Sequence, residues 1–290
     1  MPQTKPQSVV FLGTSAFAVP SLKALALDPD FEIQLVITQP DKPAGRKQVM
    51  TPSPIKIAAQ ELRLPIAQPE KINSLTTNHY PLTTRPNFLI VVSYGQILSQ
   101  EILDWPTEAA INVHPSLLPL LRGATPLQHA ILHGLPESGV TVQRMIKELD
   151  AGPMLSQMSV PLTQRETFLT LHDRLALIGA ELLVKTLKKP LQQTAQENEK
   201  ATFCGKLSKA DGIADPTTMT AHQIDRMVRA LTPWPGVTIG TNKILETTLE
   251  SGDLTVPCAE QTTLTIVRIQ PAGGTPMSGS DFMRGNKTLS

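Results

Sequence analysis

The sequence predicts an α/β protein in which an open, mainly parallel, Rossmann-like sheet is followed by a small OB-like β-barrel. In the first two thirds of the chain, short apolar runs alternate with stretches of helical periodicity, which is typical of parallel strands joined by helices. Beyond residue 205, short β-like segments lie close together between Gly, Asn and Asp residues, as in small barrels. Two domains of different architecture are therefore expected.

Composition argues against several classes of protein. The net charge of +1 and the 4% aromatic content do not indicate a uniformly basic nucleic-acid binder or binding of single strands by base stacking. No apolar run reaches the roughly 18 residues that a membrane span needs, and the polar start lacks a secretory core. Cys204 and Cys258 lack the spacing of a metal site. We expect a cytoplasmic protein with no metal and no membrane partner.

The predicted strands of the sheet are apolar runs that end at Gly, Pro or polar residues. They cover residues 8–13, 31–38, 64–67, 87–95, 110–114, 139–146 and 154–161. Residues 87–95 form the most apolar of these runs, so we expect a central strand there. Because open parallel sheets bind ligands at the carboxyl ends of their strands, Gly13, Tyr94 and Gly95 are expected to lie around one cleft.

The predicted helices carry apolar residues three and four positions apart. In the first part of the chain they cover residues 17–27, 54–62, 125–133 and 166–187. The second of these begins with Pro54, which is favoured in a first turn, and the last has a leucine-rich face. Residues 39–53 form a loop that is longer than the usual connection of about two to six residues. Such a loop is either a solvated surface segment or one that contacts substrate.

The sequence pattern changes near the end of the chain, from alternating strands and helices to a polar stretch followed by one helix and several short strands. Residues 190–202 are polar and are interpreted as a linker. A helix is predicted at residues 220–231, and short strands are predicted at residues 237–239, 244–248, 254–257 and 263–270. We divide the chain into a first domain at residues 1–188, a linker at residues 189–205 and a C-terminal domain at residues 206–290. The last holds eight Lys and Arg residues against eight Asp and Glu residues, so its charges balance.

Asn112 and His114 are the first candidate functional residues. They stand two positions apart at the end of the predicted strand that Pro115 stops, so both side chains project from the same face. An amide can donate to a developing oxyanion and an imidazole can take a proton, which suits acyl transfer. Taken alone, however, an Asn-x-His pair in a strand is more often structural.

Asp150 is a third candidate, because it precedes a small residue and Gly152 and is expected on a turn beneath the imidazole. There its carboxylate would orient the ring and favour its charged form. Ser116 follows the pair, but the G-x-S-x-G motif of an activated serine is missing. Together these residues predict direct group transfer without a covalent enzyme intermediate.

The pattern N-V-H-x-S-L-L-P-x-x-R-G-A-x-P at residues 112–126, followed by L-D-x-G, resembles the formyltransferases that use 10-formyltetrahydrofolate. The likeness runs in order through F-L-G-T, T-Q-P-D-K-P-A-G-R, P-S-P-I-K, V-V-S-Y-G, K-L-S-K, P-W-P and Q-P-A-G-G, and covers nearly the whole chain. Within this family the chain is most similar to the members that formylate initiator methionyl-tRNA. The resemblance implies the formyltransferase fold, 10-formyltetrahydrofolate as formyl donor, and a C-terminal domain that binds tRNA.

The resemblance also implies roles for individual residues. Asn112, His114 and Asp150 would be catalytic. The folate site would be lined by Ser116, Leu117, Leu118, Pro119, Val92, Tyr94 and Gly95. The tRNA substrate would be contacted by Arg46, Lys42, Gly13, Arg122 and Lys206. The expected partners are folate and initiator methionyl-tRNA, and the protein is expected to be a monomer.

Other functions remain open on the residues alone. The same three catalytic residues suit transfer to an amino sugar nucleotide or a glycinamide ribotide, although the long loop and the C-terminal domain favour tRNA. A folate-binding protein without transferase activity and a plain nucleotide-binding domain are further alternatives. The nucleotide alternative is weakened because G-T-S-A-F follows the first strand in place of G-x-G-x-x-G.

The chain also departs from the family pattern. Pro115 stands where a small residue is more usual, and Leu120 and Leu121 replace residues that are often polar or aromatic. The C-terminal domain looks shortened between residues 244 and 264. The first departure is expected to stiffen the turn after His114, and the last bears on how strongly tRNA is held.

Overall fold

The computed structural model describes residues 5–45, 48–72 and 85–285. These residues form two compact units. The first consists of the described parts of Met1–Arg122, Gly139–Val160 and His172–Phe203, and the second of those of Gly123–Ser138, Pro161–Leu171 and Cys204–Ser290. The second unit thus includes two segments from within residues 1–188, and most of the expected linker belongs to the first unit. The functional boundaries at residues 188 and 205 stay a prediction.

A seven-stranded sheet forms the centre of the first unit. Its strands are β1 (Gln7–Gly13), β2 (Phe31–Ile37), β5 (Ile66–Ala67), β6 (Phe88–Val92), β7 (Ala109–His114), β9 (Glu137–Arg144) and β10 (Met154–Pro161). They lie in the order β10-β9-β7-β6-β1-β2-β5. The pairs β1–β2, β1–β6, β2–β5 and β6–β7 are parallel, and β7–β9 is antiparallel. The prediction of an open, mainly parallel sheet is confirmed.

Strand β6 is central, as its apolar sequence predicts, because it pairs with both β1 and β7 and all five of its residues are buried. Burial on both faces of a parallel strand favours a continuous apolar run, which residues 88–92 supply. The strand is shorter than the predicted residues 87–95. It ends at Val92 because Ser93 adopts a φ of 47°, outside the range of an extended strand.

Five helices accompany these strands along the chain. They are α1 (Val19–Leu27), α2 (Pro54–Glu61), α3 (Gln100–Leu103), α4 (Pro126–Leu132) and α5 (Phe168–Leu187). Helix α2 starts as its sequence predicts, with Pro54 in the first turn and the Ser53 hydroxyl accepting a hydrogen bond from Lys56 N at 3.0 Å. The one-turn helix α3 was not predicted, since four residues are too few to show a period.

The stretch at residues 39–53 is more regular than the predicted loop. It contains a short antiparallel hairpin of β3 (Lys42–Ala44) and β4 (Val49–Thr51). The Lys56 ammonium holds the first strand of this hairpin at its base by contacting Asp41 Oδ2 at 2.7 Å, while Gln68 donates to the other carboxylate oxygen at 2.7 Å. A second short pair joins β8 (Arg122–Gly123) to β11 (Phe203–Cys204).

The second unit contains a five-stranded antiparallel sheet of the kind found in small barrels. Its elements are α6 (Ala221–Leu231), β12 (Val237–Ile239), β13 (Asn242–Thr248), β14 (Thr255–Pro257), β15 (Thr263–Gln270), β16 (Met277–Ser278) and α7 (Gly279–Arg284). Strand β15 pairs with β13 on one side and with β14 and β16 on the other. The last strand and helix were not predicted. Short 3-10 helices lie at Ala16–Ala18, Asn198–Lys200, Lys209–Gly212 and Ala259–Gln261.

A buried carboxylate organises the second unit. Asp225 on α6 is 2% exposed, and it accepts hydrogen bonds from Arg165 Nη1 at 2.8 Å, Arg229 Nε at 2.8 Å and Thr247 Oγ1 at 2.8 Å. Burial opposes ionisation of this carboxyl, but the donors of Arg229, Arg165 and Thr247 outweigh burial and hold its pKa below the usual range. The Asp225 carboxylate thus connects α6 to Thr247 of β13.

A cleft of about 540 Å³ lies beside this network in the second unit. Its charged lining consists of Arg165, Arg226, Arg229, Glu166, Asp225 and Glu250. Three positive charges are thus matched by three negative ones, and two of the arginines already bind Asp225. The cleft has no excess of positive charge with which to attract an anion.

Nowhere in residues 5–45, 48–72 and 85–285 does a helix combine the length and the apolar character that crossing a membrane requires.

We predict that Asp225→Asn destabilises the protein by about 3 kcal/mol at pH 7, because it leaves Arg229 without its buried counter-charge. A depressed folded-state pKa gives stability that is present above the unfolded pKa of about 3.9 and is lost as the pH falls through the folded pKa. Urea unfolding between pH 7 and pH 2 should therefore show a weaker acid dependence in the variant.

The matched control is Asp253→Asn, which changes an exposed aspartate of the same unit. It should unfold like the natural protein at every pH. The assigned role would be contradicted if Asp225→Asn had the same free energy of unfolding as the natural protein at pH 7 and lost the same amount of it as the pH is lowered.

Candidate active site

The register between β7 and β9 places the candidate catalytic residues. Asn112 lies opposite Gln143 and His114 lies opposite Thr141. Alternate residues of a strand share a face, so Asn112, His114 and their two partners all project from the same side of the sheet. His114 is 4% exposed and Asn112 is half-buried. The side chains of β9 can therefore support those of β7 directly.

Asp150 meets both predicted partners through one oxygen. Asn112 Nδ2 lies 3.4 Å from Asp150 Oδ1, and His114 Nδ1 lies 3.6 Å from the same atom. Gln143 Nε2 donates to this oxygen as well, at 3.1 Å. Three side chains from β7 and β9 thus converge on a single carboxylate oxygen, and the structure brings the predicted trio together.

The imidazole of His114 is fixed by a backbone group rather than by Asp150. His114 Nε2 lies 3.0 Å from the carbonyl oxygen of Leu121. Because a carbonyl oxygen only accepts hydrogen bonds, Nε2 carries a hydrogen in this arrangement. The other ring nitrogen, Nδ1, faces Asp150. The sequence predicts that Asp150 orients the ring, but the shorter contact to a ring nitrogen comes from the Leu121 carbonyl, to which no local sequence signal points.

The turn that carries Asp150 has an unusual backbone. Asp150 has a φ of 51°, in the left-handed region that few residues other than glycine adopt. Two residues on, a Cβ added at Gly152 would lie 1.8 Å from the Arg144 carbonyl oxygen, so only glycine fits there. The glycine of the L-D-x-G motif is therefore needed to let the turn pack against the end of β9.

The Ser116–Pro119 segment, predicted to line the folate site, is held on Thr141. The Thr141 hydroxyl donates to the Ser116 carbonyl at 2.7 Å and accepts from Leu118 N at 3.1 Å. Gln157 Nε2 adds hydrogen bonds to the Leu118 carbonyl at 3.0 Å and to the Thr141 hydroxyl at 2.8 Å. Ser116 and Leu118 are buried, whereas Leu117 and Pro119 are half-buried.

The second predicted folate segment lies at the carboxyl end of β6. Its Tyr94 carbonyl accepts hydrogen bonds from Thr14 Oγ1 at 2.9 Å and from Gln39 Nε2 at 2.8 Å. Gly95 is exposed and has a φ of 86°. Because Gly13 pairs with Val92, and β6 runs parallel to β7, the predicted residues of three neighbouring strand ends lie along one edge of the sheet.

The predicted substrate residues have different surroundings. Lys42 is exposed on the hairpin and contacts Gln39 Oε1 at 2.5 Å, and Lys206 is exposed in the second unit. Arg46 lies outside the described residues. Arg122 is only 5% exposed, and its guanidinium donates to Gln196 and Asn198. Its burial argues against the predicted contact with substrate and favours a role inside the first unit.

Among residues 5–45, 48–72 and 85–285, no three His, Cys, Asp or Glu side chains form a group that could hold a metal ion. The catalytic candidates are an amide, an imidazole and one carboxylate. These groups can donate a hydrogen bond, carry a proton and balance its charge.

Comparison with known proteins identifies the family. Residues 7–187 match the formyl transferase domain. The chain is 37% identical to a methionyl-tRNA formyltransferase of Enterococcus faecalis, covering 96% of this chain and 95% of that protein. It is 38% identical to a methionyl-tRNA formyltransferase of Listeria monocytogenes, with the same coverage of both chains.

A solved structure shows the same fold. It is the N-formyltransferase from Helicobacter canadensis in complex with folinic acid and dTDP-3-aminofucose. The two chains superpose with a TM-score of 0.67 at 15% identity, over 90% of this chain and 98% of the other. At this identity the likeness establishes the fold and not the acceptor.

We predict that Gly152→Ala lowers the stability by about 2 kcal/mol or more, because the added methyl group must displace the Asp150 turn or the end of β9. Thermal unfolding should show a melting temperature at least about 4 °C below that of the natural protein. Gly205→Ala is the control, since a Cβ there has no atom within 4 Å. Equal melting temperatures for the two variants would show that the turn yields without cost.

Proposed function

The chain belongs to the methionyl-tRNA formyltransferase family, and we propose that Asn112, His114 and Asp150 are its catalytic residues. Its reaction moves a formyl group from 10-formyltetrahydrofolate to the free amino group of methionyl-initiator tRNA, for translation initiation. The observation that carries the proposal is the convergence of Asn112 Nδ2 and His114 Nδ1 on Asp150 Oδ1, at 3.4 and 3.6 Å.

Asn112 is proposed to stabilise the charge that builds up on the formyl oxygen when the amine attacks the formyl carbon. An amide nitrogen carries two hydrogens, and the contact with Asp150 uses one of them. The other is available to the oxygen of the formyl group. Since Asn112 stands on a strand and is held from its other side by Asp150, the donor is already oriented before the reaction begins.

Asp150 and His114 are proposed to handle the protons. A bond forms between the amine nitrogen and the formyl carbon, the bond from this carbon to the folate nitrogen breaks, and the proton lost by the amine matches the one gained by the folate nitrogen. His114 Nε2 is committed to the Leu121 carbonyl, so Nδ1 is the ring atom that shares a proton with Asp150. Asp150, whose side chain is 10% exposed against 5% for His114, is the member that meets the substrate.

No covalent enzyme intermediate is needed in this scheme. An amine is a sufficient nucleophile once it is neutral and held against the formyl carbon. The Ser116 hydroxyl next to the site donates to the Leu120 carbonyl at 2.6 Å, which supports a structural role for this serine. Direct attack by the amine is therefore the proposed route.

The remaining site residues are proposed by their position. The Ser116–Pro119 segment and the Val92, Tyr94 and Gly95 backbone lie at neighbouring strand ends, and both are held by side chains from other strands or loops. They are proposed to bind the folate. Lys42, Gly13 and Arg46 are proposed to contact the acceptor end of the tRNA, and Lys206 is proposed to contact a further part of it.

We further propose that the protein acts as a monomer in the cytoplasm. Both cysteines are free thiols, which suits a reducing compartment. Translation initiation, the process that the reaction serves, takes place in that compartment. The catalytic trio is assembled entirely from residues of one unit of a single chain, which supports a monomeric enzyme.

We expect Asn112→Ala to lower the rate of formyl transfer by about 10²- to 10³-fold, because one preorganised oxyanion donor is lost. Asp150→Ala should abolish turnover, and both variants should keep the circular dichroism spectrum and folate affinity of the natural protein. The rate is measured in single turnovers with enzyme in excess. Near-normal rates in either folded variant would refute the assigned roles.

The acceptor is tested by offering methionyl-initiator tRNA, charged elongator tRNA and an amino sugar nucleotide in parallel, each with 10-formyltetrahydrofolate. We expect rapid formylation of the initiator tRNA alone. Transfer to the sugar nucleotide in place of the tRNA would contradict the assigned acceptor while keeping the catalytic trio. Folate binding without transfer to any acceptor would contradict the catalytic roles.

A further inference from the structure

The polar stretch at residues 190–202 contains one side chain that does not behave as part of a linker. Gln196 is 9% exposed, whereas its neighbours on both sides are exposed. Burial of an amide is favourable only when both of its polar ends are hydrogen-bonded. The partners of this amide lie in the catalytic site.

Both ends of the Gln196 amide are bound. Its Nε2 donates to the Asp150 carbonyl oxygen at 2.9 Å and to the Gly152 carbonyl oxygen at 2.6 Å. Its Oε1 accepts from Arg122 Nε at 3.0 Å and from Arg122 Nη2 at 2.7 Å. The amide has a single sensible orientation, because carbonyls only accept hydrogen bonds and a guanidinium only donates them.

Arg122 in turn fixes Gln196. Its guanidinium is buried at 5% exposure, and Nη2 also donates to Asn198 Oδ1 at 2.8 Å. A planar guanidinium that binds one amide oxygen through two nitrogens sets the direction of that amide as well as its position. Arg122 lies in the R-G-A-x-P motif, so this motif is tied to the Asp150 turn through Gln196.

The same amide reaches the carboxylate of Asp150 by a second path. Gln196 Nε2 lies 3.4 Å from Gln143 Oε1, and Gln143 Nε2 donates to Asp150 Oδ1 at 3.1 Å. Gln143 is 2% exposed. Gln196 thus orients both the peptide groups around Asp150 and the side chain that holds the oxygen shared by Asn112 and His114.

The backbone of Asp150 explains why such support is needed. A non-glycine residue at a φ of 51° is in a less favourable region, and it stays there only when its surroundings hold it. The preceding Leu149 is 68% exposed and offers little packing. The hydrogen bonds from Gln196 to the carbonyls of Asp150 and Gly152 hold the turn on both sides.

We propose that Gln196, itself held by Arg122, is a positioning residue for Asp150 in formyl transfer. This inference rests on the catalytic role of Asp150 proposed above. Gln196 does not touch the reacting atoms. It sets the place of the Asp150 carboxylate relative to Asn112 and His114, so its loss should affect the chemical step more than the binding of either substrate.

The test compares kcat and KM of Gln196→Met and Gln196→Glu in steady-state formylation of methionyl-initiator tRNA. Methionine fills the same space without hydrogen bonds, and we expect kcat to fall by about 10- to 100-fold because a displacement of about 1 Å at a catalytic group costs that much. Both KM values should stay within about twofold of those of the natural enzyme. Glutamate keeps the acceptor for Arg122 but loses the donor to the turn, so it should lose as much activity as methionine.

Two comparisons separate positioning from a merely structural role. Gln193→Met makes the same change at an exposed position of the same segment and should have normal kcat. In an Asp150→Asn background, Gln196→Met should lower the residual rate of formyl transfer by less than about threefold, because the group that it positions is already disabled.

Each outcome decides between the proposals. An active Gln196→Glu enzyme, or an equal loss from Gln196→Met with and without Asp150, would overturn the positioning role. A normal rate for Asp150→Asn would instead overturn the role of Asp150 itself. A strongly reduced rate in Asp150→Asn that Gln196→Met leaves nearly unchanged, together with the expected loss in both single Gln196 variants, would support both proposals.

Discussion

The pairing of β7 with β9 in one register is the constraint on which the site depends. It sets Asn112 against Gln143 and His114 against Thr141, so each functional side chain has its support directly across the ladder. A slip of β9 by one residue would turn Gln143 and Thr141 to the other face of the sheet, away from Asn112 and His114. The Asp150 turn and the Ser116–Pro119 segment would then lose the side chains that hold them, Gln143 and Thr141. One strand pairing thus positions both Asp150, the proposed proton-transfer group, and the Ser116–Pro119 segment proposed to bind folate.

The sequence contains enough to predict the sheet and the pair at its strand end. Strand β7 is an apolar run that ends at a proline. Because alternate residues of a strand share a face, Asn112 and His114 project from the same side regardless of how the other strands pair. The central position of β6 follows from its unbroken apolar sequence, because such a sequence is typical of a strand that is covered on both faces. The L-D-x-G motif predicts that Asp150 lies beside this pair. In the structure, Asp150 Oδ1 lies 3.6 Å from His114 Nδ1.

The supporting contacts could not be predicted in the same way. His114 is held by the backbone carbonyl of Leu121, and the Asp150 turn is held through its backbone carbonyls by the Gln196 amide. Hydrogen bonds between a side chain and the backbone leave no periodic or compositional signal in the sequence. Gln196 stands in a stretch whose polar composition is typical of a solvated linker. The two compact units are likewise hidden, because a boundary read along the chain cannot reveal that Pro161–Leu171 belongs with the C-terminal strands.

The link between Gln196 and the Asp150 turn also sets an order for the assembly of the enzyme on the ribosome. The two residues are 46 positions apart, and the formyl transferase domain, as matched, ends at residue 187. A nascent chain that has just completed that region already holds all three proposed catalytic groups, but it still lacks the amide proposed to fix their geometry. With that role for Gln196, the site is complete only once translation has passed this residue.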